Sequence, residues 1–274
     1  MRIKFPSEVG EVPALRTMSP PDEFGLDNPV LSLADRHLEG DYFPKHSHEY
    51  SQLICADSGL IRIATDFGSW TVPPQRAVWV PAETEHDVLA VGTAEMRTVC
   101  IFPGSVPWLS PKCMVVEVSS LLRALINELS RIELGYPAEG RRARLVAVFL
   151  DQLDFKPLAA LHLPLPSDKR IQGIVDALLA DPSDRRTLSE WAKIAGGSSR
   201  TLTRLFQKET GMSFRDWRLQ HHMHEALAKL ANGDRVTEIA FDLGYNSPSA
   251  FISIFGKTMG QSPSQYMRSR NKGT

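Results

Sequence analysis

The sequence predicts a two-domain α+β protein with an N-terminal β-barrel, connecting helices and a C-terminal all-α domain. Three observations predict it. Short β-branched segments separated by turn residues occupy 28–116, helical periodicity begins at Asp168, and a stretch with three prolines separates the two parts. A chain of 274 residues suits two domains of ordinary size. We therefore expect a barrel at 1–116, a connecting region at 117–166 and a helical domain at 167–274.

The composition excludes several classes of protein. Charged residues make up 23% and the mean hydropathy is −0.19, which indicates a globular rather than a disordered chain. The sequence contains no apolar run of about 18 residues and no N-terminal secretory signal. Three scattered cysteines form no CxxC pair, as is typical of a reducing compartment. We expect a cytoplasmic protein without a membrane segment.

Charge is distributed unevenly along the chain. The net charge is −1, yet residues 167–274 carry 16 Lys and Arg against 11 Asp and Glu. The remaining residues carry 15 against 21. A basic C-terminal part beside an acidic N-terminal part indicates a division of labour, although a net +5 taken alone is also an ordinary fluctuation.

The N-terminal part predicts short strands at about 52–55, 60–64, 77–80 and 96–102. Gly, Pro, Asp and Ser punctuate them, which favours a barrel or a sandwich. Trp70 and Trp79 lie in or near these strands. Core filling is the default expectation for both, and lining an effector pocket is the alternative.

Two helices are predicted between the domains. Ser119 is the expected N-cap of a helix that continues to about Leu134. Its apolar stripe from Leu122 to Ile132 packs either on its own barrel or against the same helix of a second chain. A second helix from about Arg141 carries Leu145, Val148, Phe149 and Leu153, and residues 156–166 are the expected linker.

Two segments of the C-terminal domain, 188–214 and 236–263, resemble each other. Each predicts a helix, a glycine turn and a second helix capped by serine, which is a helix-turn-helix. Matching positions lie 48 residues apart before one inserted residue and 49 apart after it. The matched pairs are Leu188/Val236, Glu190/Glu238, Ala192/Ala240, Gly196/Gly244, Leu202/Phe251, Leu205/Ile254, Phe206/Phe255, Lys208/Lys257 and Gly211/Gly260.

The second helix of each unit has a polar outer face. In the first unit Arg200, Thr203, Arg204 and Gln207 point away from the apolar side, and arginine forks match the acceptors of guanine in the major groove. The outer face of the second unit carries mostly short side chains, so we expect contacts with phosphates and methyl groups there rather than bidentate contacts with bases. It consists of Ser249, Ser253, Gly256 and Lys257, with Ile252 at the margin.

A helix at 213–231 is predicted to tie the two units together and to place them in successive major grooves. It carries three histidines, His221, His222 and His224. We expect a solvated or phosphate-facing patch, and a metal shared by His221 and His224 is the alternative.

Residues 168–270 resemble the DNA-binding domain of the AraC/XylS family of transcription regulators. The motifs that carry the resemblance are 198–211, 239–245, 247–255, Gly260-Gln-Ser-Pro263 and Tyr266. Gly197 departs from the family, which usually has an apolar residue in this turn. The resemblance implies base reading at Arg200, Thr203 and Arg204, and at Pro248, Ser249 and Ser253. The full predicted DNA interface is Ser198, Ser199, Arg200, Thr203, Arg204, Gln207, Lys208, Ser247, Pro248, Ser249, Ser253 and Lys257.

The segment from Gly40 to Gly59 resembles the first cupin motif, and Pro81 to His86 resembles the second. Cupins are small β-barrels, and the resemblance implies a metal site at His46, His48, Gln52 and His86. Gln52 stands where metal-binding cupins mostly have Glu, and Glu83 stands where the second motif has Gly. Imidazoles and an amide oxygen suit Zn, Ni, Fe or Mn as divalent ions. A metal-free effector pocket and hydrogen-bonded core histidines are the alternatives.

Together these features predict a transcription regulator, not an enzyme, with an effector-binding barrel and a double helix-turn-helix. Its expected partners are promoter or operator DNA, a small-molecule or metal effector, a second copy of the chain and, for an activator, RNA polymerase. Two other classes stay open. One is a metal-dependent, dioxygenase-like cupin enzyme fused to a DNA-binding domain, and the other is an architectural DNA-binding protein with an inert barrel.

Overall fold

The computed structural model describes residues 24–74, 76–133, 135–137, 139–153 and 161–270. These residues form two compact units. The sheet unit comprises the described residues of 24–65 and 72–153, and the helical unit comprises 66–71 and 161–270. The helical unit thus includes a short segment, 66–71, that comes from within the N-terminal sequence.

The sheet unit is built from antiparallel strands, as the fold class predicted. β3 pairs with β6 and with β5, β6 also pairs with β1 and β2, and β5 pairs with β7. The strands of this unit are β1 (Val30–His37), β2 (Tyr42–His46), β3 (Ser51–Thr65), β5 (Arg76–Val80), β6 (His86–Ile101) and β7 (Met114–Glu117); β4 (Gly68–Val72) is described below.

Gly59 interrupts the long strand β3. Its φ is +79°, and the register with β6 shifts on both sides of Ser58. A Cβ at this position would lie 2.4 Å from the Thr93 carbonyl oxygen, so only glycine fits. An irregularity of this kind bends a strand and strengthens its twist. It allows the two halves of β3 to pair with different parts of β6.

Two helices pack on one face of this sheet, α1 (Ser120–Leu129) and α2 (Arg141–Asp151). Ser119 caps α1 as predicted, its Oγ accepting from the Leu122 amide. The helix ends at Leu129, earlier than expected. Its apolar stripe is buried in the core of its own unit, so it is not available to the same helix of a second chain. The buried stripe residues are Leu122, Leu125, Ile126 and Leu129.

The buried side of α2 is formed by Val146 and Phe149. Val146, Phe149 and Leu153 are buried, whereas Val148 is 43% exposed. Positions i, i+3 and i+7 share one side of a helix, and Val148 lies about 100° round from Phe149. Of the apolar residues that this helix was predicted to carry, Val148 therefore lies outside its buried side.

Trp79 belongs to the core between the sheet and these helices. It is 2% exposed and clusters with Leu53, Val99 and Phe149, and its Nε1 donates to the Ser110 carbonyl at 2.9 Å. Successive side chains of a strand point to opposite faces, so Trp79 is on the helix-packed side. It fills the core, and its prediction as a pocket-lining residue is corrected.

The helical unit consists of seven helices and two short strands among the residues described. The helices are α3 (Lys169–Ala180), α4 (Leu188–Ile194), α5 (Ser199–Thr210), α6 (Phe214–Asn232), α7 (Val236–Asp242), α8 (Pro248–Met259) and α9 (Pro263–Arg270). In the part of the chain that the structure describes, no helix is both long enough and apolar enough to cross a bilayer.

The two short strands of this unit, β4 (Gly68–Val72) and β8 (His162–Pro164), are antiparallel. The predicted linker at 156–166 therefore ends in a strand, while its residues 156–160 lie outside the described residues. Trp70 on β4 stacks on the His162 ring with centroids 4.7 Å apart. Trp70 is 4% exposed and contributes to the helical unit, so the structure does not place it in the lining of an N-terminal effector pocket.

The turns of the two helix-turn-helix units have the same backbone geometry. Gly196 and Gly244 follow the first helix of each unit with φ of +69° and +76°. The next amide donates to the same carbonyl in each repeat, Gly197 to Ala192 at 3.0 Å and Tyr245 to Ala240 at 2.9 Å. This is the Schellman helix ending. The backbone closes the first turn despite the missing side chain at Gly197.

The histidines of α6 are not a solvated patch. His221 and His224 are each 1% exposed, because α6 is packed within the unit. His221 Nε2 lies 3.0 Å from the Leu178 carbonyl oxygen, and His224 Nδ1 lies 3.0 Å from Thr71 Oγ1. Both rings have partners inside the protein, which corrects the prediction that they face solvent or phosphate.

Candidate functional site

The outer face of α5 carries the first group of candidate residues. Ser198 caps the helix, its Oγ accepting from the Thr201 amide at 3.1 Å. Leu202, Leu205 and Phe206 are buried, as predicted, which fixes the opposite face toward solvent. That face forms a shallow groove of about 860 Å³, lined by Arg200, Thr201, Thr203, Arg204, Gln207 and Lys208.

Two cations of this groove, Arg200 and Arg204, are free to meet an anion, whereas Lys208 Nζ lies 3.8 Å from Glu209 Oε1. Arg200 and Arg204 are exposed, and neither forms an ion pair with another described residue. Thr203 Oγ1 donates to the Ser199 carbonyl at 2.8 Å, and Gln207 Nε2 donates to the Gly211 carbonyl at 3.0 Å. The two guanidinium groups are therefore the strongest hydrogen-bond donors left open on this face.

The outer face of α8 is chemically different. Ser247 caps the helix by accepting from the Ala250 amide at 3.2 Å, and Pro248 is its first residue. Ser249, Ser253 and Lys257, spaced by four, form one exposed stripe. Phe251 and Phe255 are fully buried on the other side, while Ile254 is half-buried and Ile252 is 40% exposed. This face offers hydroxyl groups and one ammonium group.

α6 connects the two helix-turn-helix units. It has 19 residues, which corresponds to a length of about 28 Å at the rise of an α-helix. Ser213 caps it by accepting from the Asp216 amide, and Gly233, with φ of +88°, ends it. Trp217 on its buried side donates to the Pro164 carbonyl at 2.7 Å. The helix is therefore capped at both ends and anchored by Trp217 near its N-terminus.

Three histidines of the sheet unit come together. His46 and His86 are paired across β2 and β6, and His48 follows β2. One ring nitrogen from each of the three lies within 4.8 Å of the others. Ring centroids are 4.4 Å apart for His46 and His86 and 4.8 Å apart for His46 and His48. Three imidazoles this close match the ligand set of a transition-metal ion.

Hydrogen bonds and burial prepare these rings for a metal. His46 Nδ1 lies 2.7 Å from the Pro44 carbonyl oxygen, and His86 Nδ1 lies 2.8 Å from the Thr84 carbonyl oxygen. Because a carbonyl only accepts, each Nδ1 carries the proton and each Nε2 keeps its lone pair. His86 Nε2 is buried without a protein partner. Burial lowers the pKa of His48 and of His86 to about 4, with a smaller lowering by His46. The residues therefore fit a metal ion.

Gln52 contacts a thiol beside the cluster. It faces Cys100 across β3 and β6, and its side chain hydrogen-bonds that thiol. Its Oε1 is buried without a partner, so the amide N–H group is the donor to sulfur. Tyr50 also hydrogen-bonds Cys100 and stacks on His48 with ring centroids 4.6 Å apart. Neither Tyr50 nor Cys100 was among the predicted site residues, although residues 46, 48, 50 and 52 alternate by two.

Comparison with known proteins identifies both units. A family model described as an AraC-like ligand binding domain matches residues 28–146, and one described as a helix-turn-helix domain matches 191–269. The HTH-type transcriptional regulator NimR of Escherichia coli K12 is 38% identical over 224 residues, or 82% of each chain. The chain belongs to the AraC family of transcription regulators.

One more distant relative and one solved structure were also compared. The HTH-type transcriptional activator RhaR of Klebsiella pneumoniae is 22% identical over 88% of this chain and 93% of its own. Among solved structures, ToxT from Vibrio cholerae covers 87% of this chain and 98% of its own, at 12% identity and a TM-score of 0.37. On the two family models, the regulator combines a ligand-binding domain with a helix-turn-helix DNA-binding domain, and the two relatives are named as a transcriptional regulator and a transcriptional activator.

Proposed function

We propose that α5 reads base edges in the major groove and that α8 contacts phosphates and methyl groups. The observation that carries this is the pair of exposed, unpaired guanidinium groups of Arg200 and Arg204 on the outer face of α5. Each fork matches the O6 and N7 acceptors of guanine. The hydroxyl groups of Ser249 and Ser253 and the ammonium group of Lys257 suit phosphate and methyl contacts.

We further propose that His46, His48 and His86 hold a divalent transition-metal ion, with Zn, Ni, Fe and Mn as the candidates. The two Nδ1 atoms bonded to carbonyl oxygens support this, because they leave Nε2 of each ring as the atom that can bind a metal. Gln52 Oε1 is available as a further oxygen donor. When bound, the ion supplies an electrophilic centre with open positions for an effector or for water.

The ion, or a small molecule held by it, is the proposed effector. It regulates by binding one DNA-binding arrangement of the regulator more tightly than another, which shifts the population between them. The chain thereby acts as a regulator without catalytic turnover. We place it in the cytoplasm, where a bacterial regulator meets promoter DNA, with a second copy of the chain as partner and RNA polymerase as a further one if it activates.

The metal proposal is tested by elemental mass spectrometry of the full chain, purified without a polyhistidine tag or chelator. We expect close to one transition-metal ion per chain, and none in the His46→Ala/His48→Ala variant. A matched control is His37→Ala, which removes a histidine of the sheet unit outside the cluster. Absence of metal from the wild-type chain, even after incubation with each candidate ion, contradicts the proposal.

The regulatory proposal is tested on DNA. A duplex selected by the full chain from a random library gives the operator sequence, and binding is then measured with and without the metal. We expect the metal to change operator affinity in the wild type and not in His46→Ala/His48→Ala. A metal that binds without changing operator affinity separates the site from regulation. Metal-dependent consumption of an organic substrate by the chain would instead favour a cupin enzyme.

A further inference from the structure

A second cationic surface lies in the helical unit, away from the groove on α5. It is a cleft of about 610 Å³ formed by the segment before α4, by α6, by the turn before α8 and by α8 itself. We call it the cationic cleft. Its charged lining residues are Arg185, Arg215, Arg218 and Lys257 on the positive side and Asp184 and Asp216 on the negative side.

The four cations are not neutralised by carboxylates of the cleft. Arg215 and Lys257 are exposed and form no ion pair within the described residues. Arg185 Nη1 donates to Asn246 Oδ1 at 2.8 Å, and Arg218 Nη1 donates to the Arg186 carbonyl at 3.0 Å. Both acceptors are neutral, so these contacts hold the guanidinium groups in place and leave their charge available to a ligand.

One of the two carboxylates is paired with a cation outside the cleft lining, and the other, bonded to a neutral hydroxyl group, leaves the four cations in excess. Asp184 is paired with the Arg186 guanidinium, which lowers the pKa of that carboxyl group. Asp216 Oδ2 accepts from Ser213 Oγ at 2.7 Å. His222 adds no charge at neutral pH, because burial lowers its pKa to about 4. The cleft therefore presents a net positive charge to an anion.

The position of Lys257 connects the cleft to the DNA interface. Lys257 lies on the exposed stripe of α8 with Ser249 and Ser253, and it also lines the cleft. Between two successive major grooves a duplex presents its sugar-phosphate backbone to the protein. We infer that the cationic cleft binds backbone phosphates between the segments read by α5 and α8. This inference rests on the DNA-reading function proposed above.

Phosphate binding here would orient the regulator without reading sequence. Arginine forks match phosphate oxygens, and each neutralised phosphate releases a counterion. Arg215 and Lys257 thus become positioning residues for the two recognition helices. Their removal should weaken operator and random DNA equally, whereas loss of a base-reading residue weakens the operator more.

The test compares Arg215→Gln/Lys257→Gln with a matched variant, Arg141→Gln/Arg142→Gln, which removes two exposed positive charges from α2 of the sheet unit. The full chain is titrated against its library-selected operator and against a random duplex of equal length, at several salt concentrations. For two lost phosphate contacts, the slope of log affinity against log salt falls by about 2. The wild type then loses about tenfold more affinity than the variant between 50 and 200 mM salt.

The outcomes separate this inference from the proposed function. If the salt dependence of DNA affinity is unchanged in Arg215→Gln/Lys257→Gln while Arg204→Ala still loses specificity, the cationic cleft does not bind backbone phosphates. Base reading by α5 is then unaffected. A reduced slope on random DNA combined with no sequence preference in the wild type supports the cleft and contradicts the proposed reading. Stabilisation by inorganic phosphate that the double variant loses, with an unchanged DNA slope, assigns the cleft to a free anion and also overturns the inference.

Discussion

His46 and His86 face each other across β2 and β6 with ring centroids 4.4 Å apart, and each ring is bonded through Nδ1 to a carbonyl two residues earlier. This shared arrangement leaves two Nε2 lone pairs beside His48. A metal that binds the folded protein and not the unfolded chain stabilises it in proportion to its free concentration.

Adding Zn(II) or Ni(II) should therefore raise the melting temperature of the full chain. At a free metal concentration about 100 times the dissociation constant, the added stability is about 2.7 kcal/mol. His86→Ala should abolish the shift. His37→Ala should keep it, because His37 is buried elsewhere in the sheet unit. Equal shifts in both variants would place the metal outside the cluster.

Arg204→Ala should reduce operator affinity by about 1–3 kcal/mol and relax the preference at one base pair. The reason is the loss of a bidentate contact from an exposed guanidinium group that has no protein partner. Lys208→Ala, one turn further along α5, is the control and should weaken all sequences alike. Both variants are measured against operators substituted one base pair at a time. Equal losses on every sequence for Arg204→Ala would make it a phosphate contact.

Local sequence patterns predicted the recognition helices, whereas the burial of other residues depends on tertiary packing, which local patterns do not contain. The capping serines Ser198 and Ser247 and the apolar spacing of α5 and α8 depend on neighbours in sequence, and the structure has them as expected. The burial of His221 and His224 depends on what packs around α6, including Thr71, which is 153 positions from His224. No local pattern contains that information.

The histidine cluster also combines residues that are close in sequence with residues that only the strand register brings together. His46 and His48 are two apart in sequence and were predicted to share one face of a strand, but β2 ends at His46 and His48 lies outside it. His86 is placed by the register of β2 against β6, and the cupin resemblance supplied it where periodicity did not. The contacts of Gln52 and Tyr50 with Cys100 depend on the register of β3 against β6, which the bulge at Gly59 shifts.

The turns at Gly196 and Gly244 should respond unequally to a Gly→Ala substitution, as measured by the free energy of unfolding. Gly196→Ala should destabilise by about 1 kcal/mol, since its φ of +69° is unfavourable for alanine but open space surrounds the position. Gly244→Ala should cost about 1 kcal/mol more, because the new Cβ would lie 2.9 Å from the Ser183 carbonyl oxygen. Urea denaturation of both variants measures the difference. An equal loss of stability in both variants would show that the segment at Ser183 moves away from the new Cβ without an energetic penalty.

Stability should fall as the pH falls from 6.5 toward 4. Burial lowers the pKa of His162 and of His222 to about 4 in the folded chain, against an ordinary value of 6.5. Between these values the unfolded chain binds more protons than the folded one, so the free energy of unfolding decreases with decreasing pH. Only well above pH 6.5 are both rings neutral in both states, so that they contribute no slope there. Urea midpoints at pH 7, 6 and 5 measure the effect. The variant His162→Gln/His222→Gln should have a less steep profile over this range, and His48 and His86, whose pKa burial also lowers, should contribute the remaining slope. An undiminished slope in that double variant would assign the pH dependence to other groups.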